Sequence, residues 1–395
     1  MTFLGYVRPD GTIGIRNYIL VIPDGMVAGK ICEFVNGTKT IITSDTGSGR
    51  TKRDRETIGR VLVGLGQNPN VAGVIVHGTS FGSGYPELHP ENIAHQIAET
   101  GKPVEVIGAS GDMDILRIIE KGIKLAREMV YNASKIRRGS VPDSFLTLGV
   151  KCGHSDTTSG IAGNPVVGYV YDKLVSEGGT ALFGETTEII GAEHILAKRA
   201  INKEVAQQIL EAARLTEERA KSTGEDIRTI NPVPSNIAGG ITTLEEKSLG
   251  AIAKAGKAPI QGVLEYGEKP KGKGLFFVDN WMTYLSIFVG YAGAGANLVL
   301  FQLGGGGRAG DTLLYPSSSV VTPLLWTTAN PRTFQRTIES MDFYSGTVIE
   351  GKESISEAGE RLYRMILDVA SGTMTKVETI NYSYPVQIYL QDTPF

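Results

Sequence analysis

VAGVIVHGTSFGSG, Val71 to Gly84, is the stretch whose reading decides the fold of this 395-residue chain. An apolar, β-branched run that empties into a small, polar turn reads as a strand buried on both faces, the signature of a parallel sheet covered by helices. The same grammar recurs on either side of it, in YILVIPDG from Tyr18, TIITSDTGSG from Thr40 and PVEVIGASG from Pro103. Between and after these runs lie helix patterns at Arg55 to Leu65 and at Asp114 to Met129, where Ile115, Ile119 and Ile123 recur four residues apart. Strands alternating with helices predict a doubly wound α/β domain over 1–140. Its end is expected in the polar segment RRGSVPD, Arg137 to Asp143.

The remainder repeats the pattern with longer insertions, so a second doubly wound, mostly parallel α/β domain is expected over 141–395. Its strands are predicted at Phe145 to Val150, Thr180 to Phe183, Leu275 to Val278, Leu298 to Phe301 and Val320 to Leu325. A helix is predicted over Ile201 to Ala220, with Ile201, Val205 and Ile209 on one face, and EYGEKPKGKG, Glu265 to Gly274, reads as an exposed loop.

A net charge of -3 offers no basic field for nucleic acid or for an anionic membrane. No apolar run reaches the roughly 18 residues of a membrane span, and the amino terminus has no signal-peptide pattern, so a cytoplasmic protein is expected. Its two cysteines, Cys32 and Cys152, read as reduced thiols.

Two stretches are rich in chemistry. KCGHSDTTSGIAGNPVVG, Lys151 to Gly168, follows a predicted strand and presents Lys151, Cys152, His154, Ser155 and Asp156 at its carboxyl end, where open α/β sheets bind ligands. NPVPSNIAGGITTLEEKSLG, Asn231 to Gly250, joins a Pro/Gly-shaped path to adjacent threonines, adjacent carboxylates and a lysine. Two readings of it stand side by side: Thr242, Thr243, Glu245 and Lys247 form a site, or Thr242 with Glu245, or Thr243 with Glu246, is a capping box that starts a helix. Asn164, Asn231 and Asn236 suit either substrate hydroxyls or Asx turns. The turn LGGGGRAG, Leu303 to Gly310, exposes successive N–H groups, so Gly304 to Gly307 with Arg308 are expected to bind an anion. Gly47 to Gly49, followed by Arg50, Lys52 and Arg53, is a second candidate anion nest. Neither turn matches a nucleotide-binding fingerprint, which makes a nucleotide-dependent oxidoreductase a poor reading.

The chain resembles the altronate and galactarate dehydratases, together with the large subunit of sulfolactate sulfo-lyase. The resemblance rests on LGYVRPDGTIGIRNY (Leu4 to Tyr18), KCGHSDTTSGIAGNP, GGTALFGETTEIIGAE (Gly178 to Glu193) and the Asn231 to Gly250 stretch. Weaker matches at GLFFVDN (Gly274) and NPRTFQRTIESMDFYSGTVIEG (Asn330) extend it over nearly the whole chain. It implies a lyase that eliminates water from a sugar acid or related hydroxy acid to leave a 2-keto acid, or one that releases sulfite from a sulfonated hydroxy acid. A non-catalytic binding subunit that has lost a metal site is the reading from another class.

Taking a proton from carbon beside a carboxylate demands a base, stabilisation of the enediolate and an acid for the leaving group. With the resemblance, the catalytic candidates are Lys151, His154, Glu245 and Lys247. Those for substrate are Asn164, Asn231, Asn236, Thr242, Thr243, Arg308, Gly304 and Gly306. Cys152, Asp156, Glu185 and Glu188 are the candidate ligands of a divalent metal: Fe2+, Mn2+ or Mg2+. Relatives usually carry glycine in place of His154 and cysteines at the turns occupied here by Ser48 and by Phe81 or Gly82, so an iron-sulfur cluster is not expected. The usual Thr-Gly-Arg-Gly turn is LGGGGR here, and a lysine shortly before Asn330-Pro331 is replaced in LLWTTANP. Together with Trp326 and NWMTYLSIF (Asn280 to Phe288), these changes suggest a less polar or smaller substrate than a six-carbon diacid, unless Trp326 is ordinary core. The chain starts at the family's central domain, so a separate small subunit with an antifreeze-like SAF domain is an expected partner, along with homo-oligomerisation and an acidic small-molecule substrate.

Overall fold

The computed structural model describes residues 1–23, 25–78, 84–109, 114–306, 319–380 and 385–395. Its strands are β1 (Thr2–Val7), β2 (Ile13–Gly14), β3 (Tyr18–Ile22), β4 (Thr38–Thr40), β5 (Val71–His77), β6 (Val104–Ile107), β7 (Gly139–Pro142), β8 (Thr147–Gly153), β9 (Thr180–Phe183), β10 (Ile260–Leu264), β11 (Gly274–Val278), β12 (Leu298–Leu303), β13 (Leu324–Thr328) and β14 (Phe343–Tyr344). A four-stranded parallel sheet has the order β4-β3-β5-β6, and a seven-stranded parallel sheet the order β10-β11-β9-β8-β12-β13-β14. Both are α/β sheets, as the apolar runs predict.

Alternation along the strands shows why those runs are continuous. Ala181 and Phe183 of β9, Leu275 and Phe277 of β11, and Leu298 and Leu300 of β12 enter one core. Leu182, Phe276, Val278, Val299, Phe301 and Leu303 enter another on the opposite face. In the smaller sheet Leu20, Ile22, Val74 and Val76 face one core and Ile19, Val21 and Ile75 the other. With both faces covered, these strands are apolar almost throughout, and Gln302 of β12 is buried with partners in the Leu303 carbonyl and the Thr327 hydroxyl. Trp326 lies fully within the second core, edge-on to Phe301 at 5.6 Å, which settles it as core.

Several local expectations are corrected. The segment RRGSVPD, where the first domain is expected to end, contains a strand: Gly139–Pro142 pairs antiparallel with β1, with Thr2 opposite Pro142 and Gly5 opposite Gly139. The strand expected in TIITSDTGSG stops at Thr40. Beyond it the chain accepts from the carboxyl-terminal tail, Val386 N–H donating to the Ile42 carbonyl at 2.7 Å and Ile388 N–H to Asp45 at 2.9 Å. The strand expected at Val320 begins after Pro323, which has no N–H to offer a ladder. β1, β2, β7, β10 and β14 were not legible, being short, glycine-rich or paired with sequence-distant partners.

The two parallel sheets are held together by close backbone contact and buried amides. A Cβ on Gly64, in helix Lys52–Gln67, would come within 2.2 Å of the Gly293 carbonyl oxygen at the end of helix Tyr284–Gly293. Asn68 donates to the carbonyls of Ala292 and Ala296, and Asn70 to those of Asn297 and Val321. Loops from the carboxyl ends of both sheets thereby come to border one crevice.

Candidate active site

Strand order in the larger sheet reverses between β8 and β12, and the space beyond the carboxyl ends at such a switch point is where α/β proteins bind ligands. Two residues there hold left-handed backbone angles that side chains rarely adopt: His154 (φ 48°), after β8, and Glu185 (φ 71°), after β9. Strain of this kind persists only where surrounding contacts over-determine it.

For Glu185 those contacts are explicit. Its carboxylate receives Lys151 at 3.0 Å, the Cys152 N–H at 3.1 Å and the ammonium of Lys254, while its own N–H donates to Asn280 Oδ1 at 2.8 Å. Lys254 also lies 3.1 Å from Cys152 Sγ. Burial alone would raise the Glu185 carboxyl, but Lys151 and Lys254 together hold it below the ordinary glutamate value. Burial pushes the Cys152 thiol up, and Glu185 adds to this. Lys254 was missed by sequence reasoning, although a signal existed: it follows Lys247 by seven residues, so both lie on one face of the helical run that begins at Leu244.

Three residues after Glu185 a second carboxylate behaves differently. Glu188 Oε1 pairs with Lys247 at 3.0 Å, and Lys247 donates to Asn231 Oδ1 at 2.6 Å, all three buried. Glu188 Oε2 is buried with no hydrogen-bond partner, as is Thr187 Oγ1 beside it. Asn231 and Thr187 border a cavity of ≈ 620 Å³, within the usual range of ligand pockets. Its walls combine Asn280, Trp281 and Met282 after β11, Asp45 and Arg50 after β4, Arg219 on helix Lys203–Ser222, and the tail residues Gln387 to Leu390.

The other expected site residues fall outside this core. Thr243 caps helix Leu244–Ile252 by accepting from Glu246 N–H, and Thr242 donates its hydroxyl and N–H to Glu246, so the capping reading accounts for both threonines. Glu245 is exposed on that first turn, 3.3 Å from Arg228, and is not brought to the cluster. Asn236 is used as a brace, donating to the Ser155 carbonyl, and Asn164 donates to the Gly250 carbonyl while its Oδ1 stays buried without a partner. His154 is half-buried, and burial with nearby Lys151 lowers its imidazole below the ordinary range.

The glycine turn is not an anion nest over its described part. Gly304 N–H donates to the Gly153 carbonyl, Gly305 N–H to Asp156 Oδ2 and Gly306 N–H to the His154 carbonyl, which consumes the donors expected at Gly304 and Gly306. Glycine is required for closeness instead: a Cβ on Gly304 would lie 2.3 Å from the His154 carbonyl oxygen. Arg308 lies outside the described residues, as do Phe81 and Gly82.

Of the four expected metal ligands, three are already engaged, and Glu188 alone keeps a carboxylate oxygen without a partner. Asp156 spends Oδ1 on Thr158 and Ser159 and Oδ2 on Gly305 and Asn330. Glu185 is saturated by two ammonium groups, and the buried Cys152 is held towards its neutral thiol form, whereas metal binding needs a thiolate. Among the described residues no group of three or more His, Cys, Asp or Glu is placed to hold a metal.

Comparison with known proteins matches residues 5–134 to the family described as D-galactarate dehydratase/altronate hydrolase, second domain, and residues 144–391 to D-galactarate/altronate dehydratase, C-terminal. The (2R)-sulfolactate sulfo-lyase subunit beta of Chromohalobacter salexigens is 36% identical over 96% of this chain and 95% of its own length. The altronate dehydratase of Bacillus subtilis is 31% identical over 95% of this chain and 75% of its own. The galactarate dehydratase (L-threo-forming) of Escherichia coli is 31% identical over 79% of this chain and 59% of its own.

Proposed function

The chain belongs to the D-galactarate/altronate dehydratase family, and from that premise we propose that it is a lyase that eliminates water from a sugar acid or related hydroxy acid to yield a 2-keto acid. The observation that carries the reading is the buried Lys247–Glu188 pair beside Asn231 at the cavity wall, with one Glu188 oxygen left without a partner. A buried polar atom without a bond costs stability unless something else satisfies it, and a substrate in the adjoining cavity would do so.

In this reading the pair takes the proton from the carbon next to the substrate carboxylate. Lys247 keeps one Glu188 oxygen engaged and leaves the other for the proton, and Asn231, held by Lys247, presents its amide to a substrate hydroxyl. Glu188 then returns that proton to the departing β-hydroxyl, which leaves as water, and the resulting enol becomes the 2-keto acid. Lys151 and Lys254 set the strand ends through Glu185. No step is assigned to a divalent metal, because three of the four donors expected for it are already engaged and the free oxygen of Glu188 is assigned to the proton.

A second reading is sulfite release from a sulfonated hydroxy acid. It is supported by the identity to the sulfo-lyase subunit, 36% against 31% for the two dehydratases. The word subunit in that relative's name supports a separate small partner chain, with an SAF domain as its expected form. The complex is assayed with altronate and galactarate for 2-keto acid, and with sulfolactate for sulfite. The double variant Lys247→Met/Glu188→Gln removes both charges at once, so stability is expected to stay near wild type. Turnover is expected to fall by about 10²–10⁴-fold. Retained turnover in a folded double variant would overturn the assignment.

A further inference from the structure

The cavity between the sheets has an electrostatic character that neither signature stretch supplies. Two guanidinium groups border it, Arg50 and Arg219, against a single carboxylate, Asp45. Asp45 is already shared: it meets Arg50 at 3.3 Å and accepts from the Thr43 hydroxyl and from the Ile388 N–H. Arg219 has no ion-pair partner among the described residues and instead meets the Tyr389 hydroxyl. The lining itself therefore carries one more positive than negative charge.

The remaining wall is largely apolar, with Ile227, Ile230, Trp281, Met282, Ile388 and Leu390. Such walls lower the local dielectric and strengthen the field of a cation on an incoming anion. Thr216, Arg219 and Ala220 of helix Lys203–Ser222 reach the cavity at i, i+3 and i+4, followed by its C-cap Thr223, so Arg219 sits on the helical face turned to it. Arg50 arrives from the other sheet, directly after the Gly47 to Gly49 turn. Its neighbourhood is closed by the tail, through Phe395 N–H to the Gly49 carbonyl and Thr51 to Asp392.

We propose that Arg50 and Arg219 hold the anionic group of the substrate, a carboxylate or a sulfonate, in this cavity, and that Tyr389 of the carboxyl-terminal segment positions Arg219 for it. The assignment rests on the lyase reading for the identity of the ligand, and the geometry alone for its charge. A guanidinium forms charge-assisted, often bidentate bonds to either acid group, which an ammonium does not reproduce.

The test is direct binding, measured by calorimetry on the wild-type complex with galactarate and with sulfolactate as separate probes, alongside steady-state kinetics. Arg219→Ala is expected to weaken binding of the accepted probe by roughly ten- to a hundredfold, with Arg219→Lys recovering part of it. Arg50→Ala should act in the same direction, and Tyr389→Phe should give a smaller rise in KM with kcat nearly unchanged. Arg219 is itself exposed near the end of its helix, so its variants test the idea even if Arg50→Ala is less stable. Whichever probe binds, the carboxylate or the sulfonate, identifies the acid group. Unchanged affinity in both arginine variants, or a wild-type complex that binds neither probe, would overturn the proposal. Binding that depends on the arginines without 2-keto acid or sulfite release would leave the anion site standing and remove the lyase reading. Turnover with unchanged KM in the variants would do the reverse.

Discussion

Glu185 and Glu188 are three residues apart, follow the same strand and are alike in sequence, yet the structure gives them opposite surroundings. Glu185 is sealed: two ammonium groups, a backbone N–H and a thiol surround it, and its backbone is locked in a left-handed conformation. Glu188 is half-satisfied, with one oxygen on Lys247 and the other buried without a partner next to residues that border the cavity. A fully saturated carboxylate organises the fold around it. One with a free oxygen near residues that border the cavity is the group to which the proposed proton transfer is assigned.

The sharpest way to break this comparison is Glu185→Gln. It strands two buried ammonium groups, and removing one partner of a buried ion pair costs about 3–5 kcal/mol. Denaturant unfolding should show a loss of at least that size, whereas an unaltered midpoint would mean the cluster is not sealed. Glu188→Gln strands one cation, so the stability loss should be smaller and the loss of turnover larger. The same contrast has a pH signature. Because the Glu185 carboxyl is held below its unfolded value near 4.5, its contribution to stability is full above that value and drains away as pH falls through the lower folded value. Unfolding curves that did not change between pH 6 and strongly acidic conditions would contradict it.

Gly304→Ala tests the switch point between the two regions. The added carbon meets a backbone oxygen that cannot swing aside, and overpacking of this kind costs about 1–3 kcal/mol. Lower stability together with altered kinetics would tie the turn around His154 to the site. Thr243→Ala should cost about 0.5–2 kcal/mol through the lost cap, with turnover per folded molecule unchanged. A drop in kcat at intact stability would return Thr243 to the site. The smallest effect is expected from Glu245→Gln, whose exposed pair with Arg228 is solvent-screened: melting and turnover should both match wild type. Lost activity there would place the reacting group on the outer face of helix Leu244–Ile252.

The sequence by itself determined the class of the fold and the family. Continuous apolar runs ending in glycine turns are what a strand covered on both faces must look like, and Val71 to His77 or Thr180 to Phe183 leave little else to infer. It also marked Lys151, Glu185, Glu188, Asn231 and Lys247, because strand-end polar residues with no apolar stripe to serve stand out locally. Tertiary structure alone decided how these divide. That Lys254 closes on Glu185, that Gly304 and Gly306 spend their N–H groups on Gly153 and His154, and that Asp156 is bound by Asn330 are contacts between residues 69 to 174 positions apart. The cavity is still less local, since Arg50, Arg219, Asn280 and Tyr389 come from four separate segments. Periodicity reports which face of an element is buried. It carries no information on which distant side chain completes a charge, so the partner of a buried carboxylate becomes known only once the chain has packed.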